Sequence, residues 1–267
     1  PGPQAQTLAR YGRHSTPNAQ WFSSAFRTRS GHDVSIRFAL PPAAGLASMQ
    51  EFGISDPEVD ALLAGCRRDR TCSQDQYQQR LVQYYRDHKL RLRAGPEGRY
   101  RLSVDVPEVV RAHRAGVLPV VGALQRWAAS EDRGTDQMFE AATALVQSGL
   151  AYRTPAAIDV GRKTLGFYTP PRTLEKGYGD CDTKSALLAA ILEHLGGARM
   201  IGVRVPNHYL LGIEQAPRAG QAYVEYQGRA FVLLEAAGPA IRPVGQVSDQ
   251  TQVAMANGLP MRIDPMF

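Results

Sequence analysis

An α+β fold, helices first and an antiparallel sheet after them, is what the periodicity of this chain predicts. Two observations carry that expectation. Apolar residues recur at helical spacing within 57–87, 107–129 and 136–149, and again from Cys181 to about Leu195. After Gly196-Gly197 the period drops to two and stays there through two hairpins. The chain has 267 residues, 43% hydrophobic and 21% charged, enough for one large domain or two modest ones. Its longest apolar run, residues 186–192, falls far short of the ~20 residues that span a bilayer, so no transmembrane segment is expected within it.

Residues 1–19 read as a flexible tether that opens Pro1-Gly2-Pro3; the first residue is Pro, not Met, as in a processed or trimmed chain. Residues 21–27 and the alternating Val34, Ile36 and Phe38 make two strands around Ser30-Gly31, stopped by Pro41-Pro42. The helical pattern of 57–87 is interrupted by the polar loop between Cys66 and Cys72, with Leu81, Tyr84 and Tyr85 on one face of its second piece. Residues 89–93 and 100–104 form a hairpin about Gly95-Pro96-Glu97-Gly98. Pro107 opens a helix over 107–115, and a second follows over 118–129. The polar stretch 130–135 is the boundary between a mixed α+β region of unknown role, 20–133, and a core spanning 134–267. There Met138, Phe139, Ala142, Leu145 and Val146 share one helical face, and 154–179 reads as a long loop of the kind that carries function. A strongly amphipathic helix from Cys181, with Leu187, Leu188, Ile191, Leu192 and Leu195 as its buried face, precedes strands at 200–205, 208–213, 222–226 and 230–235.

Charge and cysteine usage limit the partners and the compartment. Residues 1–133 carry 19 basic and 13 acidic side chains, while 134–267 carry 12 of each. The basic excess is dispersed among acids and forms no nucleic-acid motif, so a solvated basic face, or one that docks an acidic partner, is expected instead of nucleic acid. Cys66 and Cys72 are the candidate disulfide and Cys181 the odd, free thiol. In one continuous helix the Cα atoms of 66 and 72 would stand about 9 Å apart along the axis. A bridge needs roughly 4.4–6.8 Å, so the helix must break between Ala64 and Ser73, with Gly65 as the expected place. Such a bridge, with the missing start Met, points to a periplasmic or secreted protein. Two cysteines without neighbouring Cys or His ligands cannot complete a zinc site, and no carboxylate cluster suggests calcium; neither metal nor organic cofactor is expected.

Cys181 follows Gly179-Asp180 at the first turn of a helix, where unpaired N–H groups and the positive helix end favour thiolate. Asp180 is the expected N-cap. The base is His208, at the start of a strand; His194, about 20 Å along the helix, is out of reach. The group that orients the imidazole is Glu235, at the end of an apolar strand, with Glu225 as its rival. With a turn at Gln227-Gly228 or at Gly228-Arg229, the two glutamates point to opposite faces, and Glu235 follows the more apolar strand.

These residues together resemble a family. The run Gly177-Tyr178-Gly179-Asp180-Cys181-Asp182-Thr183-Lys184-Ser185-Ala186-Leu187-Leu188, then Leu195-Gly196, His208, and Phe231-Val232-Leu233-Leu234-Glu235 is similar to the core of the transglutaminase-like superfamily. The likeness covers about 134–247, and the segment 136–149 with Tyr152 fits it too. It departs in having Glu235 where Asp is commoner, and in lacking the aromatic that usually follows the His, since this chain reads His208-Tyr209-Leu210-Leu211. The resemblance implies a papain-like core, with the Cys-bearing helix packed on an antiparallel sheet, and Cys–His–acid chemistry in that chain order.

The expected function is therefore a cysteine peptidase, amidase or transglutaminase acting on an amide of a peptide, protein or peptidoglycan-like substrate. The N–H of Cys181 is the expected oxyanion donor, with Tyr168 or Tyr178 as candidates for a second. The alternative is an inactive copy of the same fold that binds an acidic or cell-wall partner.

Overall fold

The structure, a computed structural model, describes residues 10–17, 19–69, 72–94, 100–238 and 240–266. It is α+β, with helices and mainly antiparallel sheets. No helix among the described residues is long and apolar enough to cross a membrane.

The chain begins with a three-stranded antiparallel sheet, β1 (Arg10–Thr16), β2 (Ala19–Arg27) and β3 (Asp33–Leu40), in that order. β1 lies within the stretch expected to be a tether. Its polar side chains give no period-2 signal; the strand is held by its ladder to β2 and by Tyr11, whose ring stacks near Phe22 and whose hydroxyl donates to the Leu174 carbonyl. Residues 1–9 and Asn18 of that stretch lie outside the described residues. Phe22, Phe26, Val34, Ile36 and Phe38 alternate with exposed residues and bury one sheet face, as their spacing requires.

α1 (Ala44–Gln50), unforeseen in the sequence, leads to α2 (Asp56–Asp69) and α3 (Gln74–Asp87). Cys66 and Cys72 are disulfide-bonded across the gap, with Cα atoms 5.1 Å apart. The break expected at Gly65 is not there: α2 runs through Gly65 to Asp69. One glycine costs a helix only about 1 kcal/mol and does not by itself end it. Ser73 then restarts the chain as N-cap of α3 in a reciprocal capping box with Gln76. The hairpin β4 (Leu90–Ala94) and β5 (Tyr100–Val104) forms as expected, its turn lying outside the described residues. α4 (Val106–His113), capped by Asp105 with Pro107 in its first turn, is followed by α5 (Leu118–Ser130).

The 130–135 boundary is the turn between α5 and α6 (Thr135–Ala144), but it does not divide the interior. One apolar core contains Phe22, Phe38, Val110 and Leu124 together with Leu145, Leu187, Leu188 and Leu211. α6 ends in a π turn, Leu145–Gly149. The expected loop 154–179 is more ordered than its prolines and glycines suggest. It contains the short hairpin β7 (Ile158–Asp159)/β8 (Arg162–Lys163) and α7 (Pro170–Lys176), whose two prolines occupy first-turn positions where a missing N–H is harmless. β6 (Ala151–Tyr152) and β9 (Tyr178–Gly179) pair in parallel just before α8 (Cys181–Leu192).

α8 is the central helix. It was expected to be amphipathic, yet every residue from Thr183 to Leu192 is buried, because α4, α5 and α7 cover the side that would otherwise meet water. Its other side lies on β11 of a five-stranded antiparallel sheet ordered β12 (Tyr223–Tyr226), β13 (Arg229–Leu234), β11 (His208–Glu214), β10 (Met200–Val205), β14 (Arg262–Pro265). The β12/β13 turn is Gln227-Gly228, both with positive φ. β14 and α9 (Asp249–Ala256) were not foreseen; β14 closes the β10 edge.

Candidate active site

Three elements meet at the N-terminal end of α8. Cys181 opens the helix, half-buried and free of any disulfide. Asp180 occupies the N-cap position but makes no capping bond with its side chain, so the expected cap is absent. Its Oδ1 is instead buried without a protein donor, and Asp182 accepts the Thr183 N–H at 2.9 Å. Burial and the adjacent Asp180 carboxyl push Asp182 up to about 7.

His208 begins β11, directly after the Pro206-Asn207 turn, in which Asn207 takes a positive φ. The Ser185 hydroxyl on α8 donates to the neighbouring Tyr209 carbonyl, tying helix to strand at this level. The imidazole Nε2–H donates to both carboxylate oxygens of Glu235, at 2.8 and 2.9 Å. Cys181 acts on the same imidazole, and with Nε2 engaged by Glu235 the ring's Nδ1 is the nitrogen left for sulfur. Burial alone would lower the imidazole; the neighbouring Cys181 and Glu235 outweigh it and raise His208 to about 9. Glu235 is 2% exposed and also accepts the Ala237 N–H. Glu225 is exposed on β12, on the face opposite to Val224. The structure thus brings Cys181, His208 and Glu235 together and leaves Glu225 outside.

The tyrosines sort differently from the sequence expectation. Tyr168 is fully buried; its hydroxyl is engaged by the Ala156 N–H and lies 3.2 Å from that of Tyr178. The Tyr178 ring is covered by the Arg153 guanidinium. Tyr152 is half-exposed: burial first, then the nearby charges of Cys181, Asp180, Asp182 and Glu235, raise its phenol. Its place follows from the β6–β9 pairing, which sets Tyr152 across from Gly179, two residues before the thiol. A single tyrosine after a helix gave no stronger signal than this in the sequence.

Two buried polar residues surround the triad. Lys184, one turn beyond Cys181, is 0% exposed and donates to the carbonyls of Gln147 and Leu150 at 3.2 and 2.9 Å. Burial lowers it to about 8. Gln147, in the π turn, donates to the Glu235 carbonyl at 2.6 Å and to that of Arg242 at 3.0 Å. A lysine inside an apolar helix, in a chain with only four lysines, was a visible signal for the first; the second had none.

Among the described residues no group of three or more His, Cys, Asp and Glu stands in metal-holding geometry. Searches with family models, among curated proteins and among solved structures returned no match.

Proposed function

We propose that this protein is a thiol acyl-transfer enzyme acting on amide bonds, with the Cys–His–acid core of the transglutaminase-like superfamily. The observation that carries the reading is His208 held by two 2.8–2.9 Å bonds to the buried Glu235 while the free Cys181 thiol acts on the same imidazole. Nucleophile, base and orienting carboxylate in such a series are the parts covalent catalysis needs. Cys181 Sγ attacks the amide carbon, and the oxyanion is met by the Cys181 N–H at the helix start. Tyr152, whose phenol is raised by the Cys181 charge, joins Tyr168 and Tyr178 as a side chain for a second donor. The imidazolium passes its proton to the departing amine, and the acyl group stays on sulfur as a thioester. Water, deprotonated by the now neutral imidazole, releases the acid; an amine in its place yields a new amide. The substrate class is a peptide, protein or peptidoglycan-like amide, and the 66–72 disulfide supports an oxidising compartment, periplasmic or secreted.

The test is labelling by an electrophilic peptide probe and by iodoacetamide, with Cys181→Ala and His208→Ala as references. Wild type should be alkylated well below pH ~8.5, the free-thiol value, and His208→Ala should lose that reactivity. Alkylation no faster than a model thiol would leave the inactive, partner-binding version of the fold.

A further inference from the structure

Glu235 stands one residue beyond β13, and the last ladder pair of that strand with β11 is Leu211 with Leu234. The sheet therefore does not fix the backbone of the residue whose carboxylate grips His208. Gln147 does. Its amide donates to the Glu235 carbonyl at 2.6 Å and to the Arg242 carbonyl at 3.0 Å, and its Oε1 accepts the Arg242 N–H at 3.1 Å, clasping the chain at both residues. The fit is close: a Cβ on Gly238 would lie 1.7 Å from the Gln147 carbonyl oxygen. Gln147 is itself anchored from the other side, since Lys184 binds its carbonyl and that of Leu150. These carbonyls belong to the C-terminal end of the α6–π segment, where helix carbonyls lack partners and a cation is favoured. Lys184 lies on the helix that Cys181 opens. One unbroken set of buried bonds thus runs from the thiol's helix, through the π turn, to the acid's backbone.

We propose that Gln147, anchored by Lys184, is a positioning residue that holds Glu235 in register with His208 and Cys181. The inference rests on the thiol-enzyme reading above. A π turn is a frequent feature of functional sites; here it brings the Gln147 carbonyl to Lys184 and the Gln147 amide to Glu235.

The experiment is the pH dependence of iodoacetamide alkylation, which reads Cys181 alone because the other two cysteines are bridged. Wild type, Glu235→Gln, Gln147→Leu, Gly238→Ala and the double variant Gln147→Leu/Glu235→Gln are compared. Gly238→Ala pushes the clasped chain off the Gln147 backbone without removing a buried polar group, and so reads the same link if Gln147→Leu fails to fold. Loosening the acid should slow alkylation at pH 6 by about 10–100-fold, the scale of a misplacement near 1 Å, and move the profile toward that of a free thiol, as Glu235→Gln does. The double variant should show no further shift, because both changes act through one carboxylate. A folded Gln147→Leu or Gly238→Ala whose profile superimposes on wild type, while Glu235→Gln shifts, overturns the positioning role and leaves the thiol-enzyme reading standing. Additive shifts in the double variant overturn it as well. A free-thiol profile in wild type itself removes the reading, and the role with it.

Discussion

At the scale of single residues, the division between Glu235 and Glu225 is the sharpest check on the proposed chemistry. An amide at 235 keeps the shape but cannot stabilise imidazolium as a carboxylate does, so Glu235→Gln should lower kcat/KM by about 10³–10⁴-fold, the scale known for an orienting acid. Glu225→Gln, on the exposed edge strand, should change it less than twofold; equal losses would displace Glu235 from the site. His208 links protonation to stability. Its imidazole rises from 6.5 in the unfolded chain to about 9 in the fold. The folded state therefore binds that proton more tightly. The stabilisation is complete below about pH 6.5 and is lost as pH climbs through 9. Thermal unfolding should accordingly show the stability gap between wild type and His208→Ala narrowing across that window; a gap that widens contradicts the assignment. That Cys181, His208 and Glu235 stand together was legible because a thiol at a helix start, a histidine at a strand start and a carboxylate ending an apolar strand are each unusual. Tyr152, Gln147 and the unused cap of Asp180 were not, since each depends on a neighbour far away in the chain.

At the scale of elements, the helix and strand patterns of 20–40, 57–94, 100–129 and 181–234 predicted nearly all that formed there, although in 181–234 the helix and the central strands are buried on both faces and not on the one their period marks. The errors share a physical cause. β1 and β14 are edge strands, stabilised by ladder bonds and a few anchors, and such strands carry little hydrophobic alternation. α7 is begun by Pro170-Pro171 and closed by Gly177, residues that punctuate loops as often as helices. Gly177 is required there: its φ is 74°, and a Cβ would lie 2.8 Å from Tyr11 Cδ1. Gly177→Ala should cost about 1–3 kcal/mol in urea unfolding, from left-handed backbone strain and the displacement of Tyr11 from β1. A neutral result would mean that β1 is not held through Tyr11.

At the scale of the whole molecule, the disulfide and the site are separate devices. The bridge encloses five residues, the first three of them in the last turn of α2, and chain-entropy reasoning gives such a loop about 2 kcal/mol. Cys66→Ser/Cys72→Ser should lower stability by that amount while leaving kcat/KM within twofold of wild type; an activity loss without a stability loss would tie α2 and α3 to the site. The two halves of the chain are not separable in this way. α8 is enclosed by helices from residues before 133 and by the sheet after 200, and Asp264 of β14, 1% exposed, is bound by Arg93 of β4 at 2.7 Å. α4 and α5 of the first half, with α7 of the second, thus share the wall that keeps the Cys181 helix dry. The proposed triad is accordingly no cassette that could be moved to another chain by itself: whatever receives the thiol must receive the wall behind it.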